Sequence, residues 1–498
     1  MTAVSPHGIA VRGLSVALPG AGTVLRDVSL RVAPGECLAV VGESGAGKSV
    51  LARTLLGLTQ DVPGARVTAT ELAVAGHDLR RLGRRGRRGM RGRDVALVLQ
   101  DALQSLDPLR TVEAEVGETL AIRRVPRAER RGRVLAALRE AGLPDADGLL
   151  GRRSAELSGG MRQRALIAGA IVGGAGVLIA DEPTTALDAT TAVRVLELLG
   201  RLRDEGRALV LISHDLRAVA RVADRVAVLD AGRVVEEGAT ADVLDAPRHA
   251  VTRALLAAVP SGPKPGGRVL APDAPPLLAA REVTRRYRDV IAVDRASVTV
   301  GRGEVLGIVG ESGSGKSTLA RLLIGAERAD DGEVRRTAAC VRLVPQDPLG
   351  SFDPRHTVER ILRLSRRGDA PSPAELLDQV GLEPALLSRR PGTLSGGQRQ
   401  RVAIARALAA GPDVLVCDEP VSALDVTTQA GILALLRRLQ RERGLAMVFI
   451  SHDLAVVRNV SDRVAVMRDG RIVESGPTEE VYASPVDPFT AELIAAGS

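Results

Sequence analysis

Two stretches of this chain carry the residue types needed to hold a phosphate chain. They are GESGAGKS at 42–49 and GESGSGKS at 310–317. Each follows an apolar run, CLAVV or VLGIV, that predicts a buried strand, and each precedes a segment that predicts a helix. Gly42, Gly45 and Gly47, like Gly310, Gly313 and Gly315, let the backbone wrap closely around phosphate oxygens. The N–H groups of Glu43, Ser44 and Ala46, or of Glu311, Ser312 and Ser314, can then point inward, and the next helix adds the positive end of its dipole. Lys48 and Lys316 supply a compact ammonium. Ser49 and Ser317 supply a hydroxyl for a hard cation, and Thr318 completes the second set. Two such loops in matching context predict a nucleoside triphosphate at two sites.

Further residues repeat in the same order. An apolar strand ends at Gln100 in the first half and at Gln346 in the second, where an amide can coordinate a cation or hold a water. ELSGGMRQR and TLSGGQRQR place Ser158, Gly159 and Gly160, or Ser395, Gly396 and Gly397, at the start of an amphipathic helix. The serine suits an N-cap, and the glycines leave N–H groups open to an anion. VLIADEP and VLVCDEP end buried strands on Asp181–Glu182 and Asp418–Glu419. At such a strand end the aspartate can hold a magnesium shell and the glutamate can polarise an attacking water. LVLISHDL and MVFISHDL end strands on His214 and His452, in reach of a terminal phosphate.

These paired landmarks make the chain a tandem duplication, in which the second half lost one segment before its glutamine and another before its LSGG. The predicted organisation is α/β, with domains at 1–260 and 277–498 joined by the Pro/Gly-rich linker SGPKPGGRVLAPDAPP, 261–276. The first half opens on two β-rich runs separated by a PGAG turn, which predict antiparallel strands beside the loop strand. The arginine-dense run at 80–94, absent from the second half, reads as a solvated basic linker and not as a nucleic-acid groove.

Composition narrows the class. A chain of 498 residues exceeds one core, and with 45% hydrophobic but 1% aromatic residues and no Trp its cores must rest on Leu, Val, Ala and Ile. The same scarcity leaves no aromatic platform for single-stranded nucleic acid. The net charge of +8 is almost wholly arginine; Lys48, Lys264 and Lys316 are the only lysines. Two of these three sit in the phosphate loops, where a planar guanidinium does not mimic an ammonium. Cys37, Cys340 and Cys417 form no CxxC pair, which predicts neither zinc site nor disulfide framework and a reducing compartment. No signal peptide is expected from MTAVSPHGIAVRG, and the longest uncharged run, 165–180, is too short and glycine-rich to span a membrane.

Phosphate loop, glutamine, LSGG signature, DE strand and histidine, in this order and twice, resemble the ATP-binding-cassette ATPases. The resemblance implies two P-loop nucleotide-binding domains. Each would have a RecA-like parallel-sheet core, a small antiparallel sheet and a helical subdomain carrying the signature. It implies two ATP molecules held head to tail with Mg2+. One site would combine Lys48 and Ser49 with Ser395, Gly396 and Gly397, and the other Lys316 and Ser317 with Ser158, Gly159 and Gly160. Ser49, Gln100 and Asp181, or Ser317, Gln346 and Asp418, would serve the metal, with Glu182 and Glu419 as water-activating groups and His214 and His452 on the γ-phosphate. The aromatic that stacks on adenine in this family matches Tyr287, whereas the first half offers only Leu18.

QDALQSLDP and QDPLGSFDP, and the tails APRHAVTRALL and SPVDPFTAELI, are similar to peptide and nickel importer ATPases. Ala250, Val251 and Asp487 depart from that group's tail, and the cysteine-rich C-terminal cluster that some of its members carry is not matched, so no iron–sulfur centre is expected. The resemblance implies a peripheral ATPase motor on the cytoplasmic face of the cell membrane. It would act on two permease subunits and through them on a solute-binding protein, with no nucleic acid as partner. A fused sugar-importer ATPase and a soluble tandem-cassette translation factor are the alternatives. The short Pro/Gly linker disfavours the translation factor, whose cassettes are joined by a long charged tether.

Overall fold

CLAVV and VLGIV are buried at every position, as strands covered on both faces must be, and each lies in the interior of a six-stranded sheet. The computed structural model describes residues 8–99, 106–185, 187–266, 275–288, 290–422 and 424–497. Apart from Asp188–Thr190, which group with the second, they divide into two compact units, one ending at Val259 and the other beginning at Pro260.

In the first unit the large sheet runs Arg233–Ala239, Arg225–Asp230, Cys37–Val41, Ala208–Ile212, Val177–Asp181, Val95–Val98. All pairings are parallel except the edge hairpin of Arg225–Asp230 with Arg233–Ala239. The second unit repeats this order with Arg471–Pro477, Arg463–Arg468, Val305–Val309, Ala446–Ile450, Val414–Asp418 and Val341–Val344. In both units the strands bearing the loop, the acids and the histidine are therefore neighbours. Their carboxyl ends open on one edge, where open α/β sheets bind ligands.

The predicted antiparallel strands are present as Ile9–Leu18 and Gly22–Val32, in a five-stranded sheet; their counterparts Leu278–Tyr287 and Val290–Val300 belong to a three-stranded one. A helical part packs against each large sheet. In the first unit Arg127–Glu140 lies against the signature helix Gly159–Ile171, joining Val134, Leu138 and Ile167 to the sheet residues Val98 and Ala180 in one core. In the second unit the matching helices are Val358–Ser365, Pro373–Gln379 and Gly396–Leu408. The first unit's buried core is aliphatic, Cys37 and Met90 apart, as the scarcity of aromatics required. No helix among the described residues is long and apolar enough to cross a membrane.

The arginine-rich run is not the solvated linker that its composition suggested. It contains a short helix, Arg84–Met90, anchored by the fully buried Met90. Arg87 and Arg91 pair with Asp61 at 2.7 and 2.8 Å, and Arg91 also donates to the carbonyls of Leu56 and Gly57. Those carbonyls end the helix Lys48–Leu55, so the run clamps the far end of the loop helix. In the second unit Arg336 does the same work on the carbonyls of Leu322 and Leu323. The linker reading also needs correction. Residues 261–266 are fixed to the second unit, where the Lys264 ammonium meets both carboxylate oxygens of Asp462 at 2.8 Å; residues 267–274 lie outside the described set.

The tails fold back on their own units. Glu236 accepts from the backbone N–H groups of Arg248 and His249, and Glu474 from those of Val486 and Asp487. His249 caps the helix Ala250–Ala258 through Nδ1, and Asp487 caps Pro488–Gly497 through its carboxylate, 2.8 Å from the Phe489 nitrogen. The departure at Asp487 therefore preserves the physical role, since either side chain accepts at an N-cap.

Candidate functional site

Gly42 leaves the loop strand at φ 153°, and a Cβ there would stand 2.1 Å from the Leu229 carbonyl oxygen; Gly310 repeats this at φ 154° against Met467. Only glycine can make this turn against the neighbouring strand. The helix begins at the lysine, and both ammonium groups are tucked inside their loops. Lys48 Nζ donates to the carbonyls of Gly42 and Glu43 at 2.7 and 2.9 Å, and its residue is 8% exposed. Lys316 Nζ donates to Gly310 and Glu311 at 2.8 and 2.6 Å. Burial pushes the Lys316 ammonium below its ordinary range, against the pull of Glu419, so an anion placed beside it relieves a desolvated charge.

The acids arrive from the adjacent strand. Ser317 Oγ donates to Asp418 at 3.2 Å, and in the first unit the Ser49 hydroxyl faces Asp181 and favours its charged form. Burial raises both aspartates above the usual carboxylate range, and their neighbouring glutamates add to the rise despite the serine hydroxyls. Each is a carboxylate short of positive charge, beside a hydroxyl, at the mouth of the phosphate loop. That small, all-oxygen donor set fits Mg2+, which takes most of its shell from phosphate and water and needs only one or two protein oxygens.

Glu182 and Glu419 follow at φ 49° and 45°, a left-handed conformation that side chains other than glycine rarely adopt. Such strain persists where surrounding bonds over-determine it, and it gathers at functional positions. Here the Glu182 N–H donates to the Ile212 carbonyl and the Glu419 N–H to that of Ile450, both on the strand that leads to the histidine. His214 Nδ1 lies 3.1 Å from Glu182, and His452 Nδ1 3.3 Å from Glu419. Gln346 Nε2 donates to the other oxygen of Glu419 at 2.9 Å, which leaves its carbonyl oxygen for a cation or water. Gln100 lies outside the described residues.

Sequence reasoning missed the strained backbone of the glutamates and the hydroxyls around them. Thr185 donates to Glu182 at 3.0 Å, and Ser213 and Ser451 accept from the N–H of Asp215 and Asp453, bracing the histidine turns. The S-H-D triplet at both histidines was the available signal for that brace.

Burial opposes ionisation of both glutamates, but the histidine bond and charge outweigh it and hold their carboxyls below the ordinary 4.5. Burial likewise opposes charging the histidines, and the glutamates overcome it, so both imidazoles lie above the ordinary 6.5. The histidine contribution to stability is complete below pH 6.5 and lost as pH rises through the elevated value. The glutamate contribution is complete above pH 4.5 and lost as pH falls through the depressed one. In the nucleotide-free protein the pairs are thus strongest between pH 4.5 and 6.5. The chain has six histidines, so their ring resonances are resolvable. In the free protein His214 and His452 should titrate above 6.5, and Glu182→Gln should bring His214 down while leaving His452 in place. An unmoved His214 would contradict the pairing.

The signature residues do not join these clusters within their own unit. Ser158 and Ser395 cap their helices, each accepting at 3.3 Å from the third N–H. Gly160 and Gly397 are needed for close packing, since a Cβ would strike Thr191 or Thr428 at 2.5 or 2.4 Å. From the shared leucine onward the two signatures differ at one residue, and it has a visible effect. Gln398 returns a bond to the Ser395 N–H at 3.0 Å and closes a capping box, which Met161 cannot do for Ser158. Tyr287 ends its strand partly exposed, with the Arg285 guanidinium 4.9 Å over one face of the ring and its hydroxyl bonded to Glu327. Leu18 takes the same place in the first unit and packs against the core.

Residues 25–185 and 293–422 each match the family described as ABC transporter. Over 527 residues the chain is 40% identical to the peptidoglycan transport ATP-binding protein YejF of Agrobacterium fabrum, covering 98% of this chain and 96% of that protein. It is 38% identical over 558 residues to the glutathione import ATP-binding protein GsiA of Salmonella choleraesuis, covering 98% and 89%. Among solved structures, the complex of archaeal ribosomal stalk protein aP1 with the archaeal ribosome recycling factor aABCE1 has a chain that superposes with TM-score 0.67. The identity is 22%, and the match covers 98% of this chain and 92% of that one; at this identity the likeness is one of fold.

Proposed function

The chain belongs to the ABC transporter family, and from that premise we propose that it is the ATP-hydrolysing motor of a membrane importer for small peptide-like solutes. The observation that carries this reading is the presence, in both units, of a complete set of loop lysine, serine–aspartate pair, strained glutamate and histidine. Similarity along nearly the whole chain to two import or transport ATP-binding proteins favours an importer over a ribosomal role. Their names, peptidoglycan and glutathione, both denote amide-linked solutes, which supports peptides over sugars.

In this reading each loop binds the phosphates of one ATP, and Ser49 with Asp181, or Ser317 with Asp418, would hold the magnesium. That ion would supply neutralising charge to the phosphates. Glu182 and Glu419 accept a proton from the attacking water, while His214 and His452 fix the glutamate and face the γ-phosphate. As the family resemblance implies, Ser158, Gly159 and Gly160, or Ser395, Gly396 and Gly397, complete the other cassette's site by meeting its γ-phosphate. ATP then holds the halves closed, and hydrolysis removes the charge that joins them. Two permease subunits receive the segments after Gln100 and Gln346 at the cytoplasmic face, and a solute-binding protein delivers the cargo to them. Purification of the full chain from membranes should retain permease subunits; retention of ribosomes instead would overturn the assignment.

The two sites should differ in affinity. Stacking on a base contributes roughly 1–3 kcal/mol, and only the second unit offers a ring at that position. With Lys316→Ala disabling one loop and Lys48→Ala the other, ATP titrations should show the Lys48 loop binding about 5- to 150-fold more weakly. Tyr287→Ala should remove the difference, and equal affinities in the parent pair would rule it out.

A further inference from the structure

Lys264 is the one lysine of this chain that lies outside a phosphate loop, in a sequence that otherwise uses arginine for its cations. It is only 8% exposed at its side chain, and its carboxylate partner Asp462 is 4% exposed. Asp462 does more than accept this charge. Its Oδ2 takes the N–H of Val305 at 2.8 Å, and its own N–H donates to the Val305 carbonyl at 2.8 Å. Val305 begins the strand Val305–Val309, which runs directly into the second phosphate loop. The linker lysine therefore closes a chain of contacts that fixes the entry of the strand bearing that loop.

The first unit has the same clamp with a different cation. Asp224 accepts the Cys37 N–H at 2.8 Å and donates its own N–H to the Cys37 carbonyl, at the start of the first loop strand. Its positive neighbour is Arg203, at 3.3 Å, on the helix Ala189–Asp204, and Asp224 remains 47% exposed. In the second unit the helix Val426–Arg443 carries Gln440 at the matching position, after the leucine pair Leu202 and Leu439. Gln440 bonds the Gly303 carbonyl at 2.7 Å and reaches Asp462 only at 3.4 Å, without a charge. The cation lost from the helix is restored by the linker, and the ion pair moves from half-open to buried.

We propose that Lys264 is a positioning residue for the second nucleotide site, standing in from the linker for the arginine that its helix lacks. A buried carboxylate stripped of its one close cation is strongly destabilising, whereas an exposed one relaxes into water. The strap also explains why residues 261–266 are ordered against the second unit: Asn459 Nδ2 donates to the Ser261 carbonyl at 3.3 Å, just before the lysine.

The strap stands on geometry alone, and its consequence for nucleotide rests on the reading of the 310–317 loop as an ATP site. The test uses the full chain in a Lys48→Ala background, so that only the second loop reports. Lys264→Met should lower the nucleotide-free unfolding midpoint by about 5–15 °C and weaken ATP binding by at least about threefold. Adding Gln440→Arg, which rebuilds the first unit's arrangement, should restore both. An unchanged midpoint, or a double variant no better than Lys264→Met, overturns the strap. Restored stability with ATP affinity unmoved throughout overturns the positioning role. If Lys264→Met alone cannot be recovered folded, recovery of the double variant supports the strap and its failure overturns it. A background protein that binds no ATP at all speaks against the loop's assignment, while the midpoints still decide the strap.

Discussion

Glu182→Gln together with Glu419→Gln is expected to lower ATP turnover by about 10²–10⁴-fold, the range for loss of a positioned general base, while ATP remains bound. The substitution preserves length, shape and the left-handed backbone at φ 49° and 45°. The bonds from the Ile212 and Ile450 carbonyls to the main chain do not depend on the side chain, so the amide occupies the carboxylate's place. What disappears is the acceptor for the water's proton and the negative charge that holds His214 and His452 above their ordinary 6.5. Loop lysines, serines and aspartates are untouched, so binding and turnover should separate. Single-turnover hydrolysis and equilibrium ATP binding on one preparation would measure this. Normal turnover in the double variant would show that another group activates the water.

Lys48→Arg and Lys316→Arg are expected to be nearly as damaging as alanine, with ATP hydrolysis at the altered site reduced by at least about 100-fold. Outside the loops this chain uses arginine for every cationic side chain but Lys264, so the variant asks whether the loop accepts arginine too. The ammonium of Lys48 sits between two carbonyls at 2.7 and 2.9 Å, and that of Lys316 between two at 2.8 and 2.6 Å. A guanidinium is planar and wider, and the loop has little room to shift because Gly42 and Gly310 pack so close to the carbonyls of Leu229 and Met467 that a Cβ on either would stand 2.1 Å from the oxygen. The arginine must swing out of the loop or displace the neighbouring strand, and either removes the charge from the phosphates. ATPase rates of each variant measure this, and a site that works with arginine would undo the account of why lysine persists.

What could be read from residue types alone was whatever chemistry forces. A loop that wraps phosphates needs glycine at fixed offsets, and acids that serve a cation follow a buried strand; both constraints appear as letters, twice. The order of strands in the large sheet was not among these, since burial on both faces does not say which strand lies beside which; the parallel core was expected only from the family resemblance. The left-handed glutamates left no trace in the letters, because glutamate has no preference for that conformation and the bonds imposing it come from another strand. The arginine run misled for a related reason. Its composition signals solvent exposure, while Asp61, the acid that binds two of its members, lies well before it in sequence. Lys264 looked like part of a loose linker because its partner, Asp462, is nearly two hundred positions away. Asp487 looked like a departure because the matching histidine shares its capping role and not its charge.

We propose that each phosphate loop is completed by the signature of the other cassette. It is tested most directly in the Glu182→Gln, Glu419→Gln chain, with Lys316→Ala added so that only the loop at 42–49 can retain ATP. Labelled ATP trapped after rapid gel filtration is then compared for Ser395→Arg and Ser158→Arg. The account predicts that Ser395→Arg abolishes trapping and Ser158→Arg leaves it intact. Loss with Ser158→Arg and retention with Ser395→Arg would mean that each cassette closes its own site, and would contradict it.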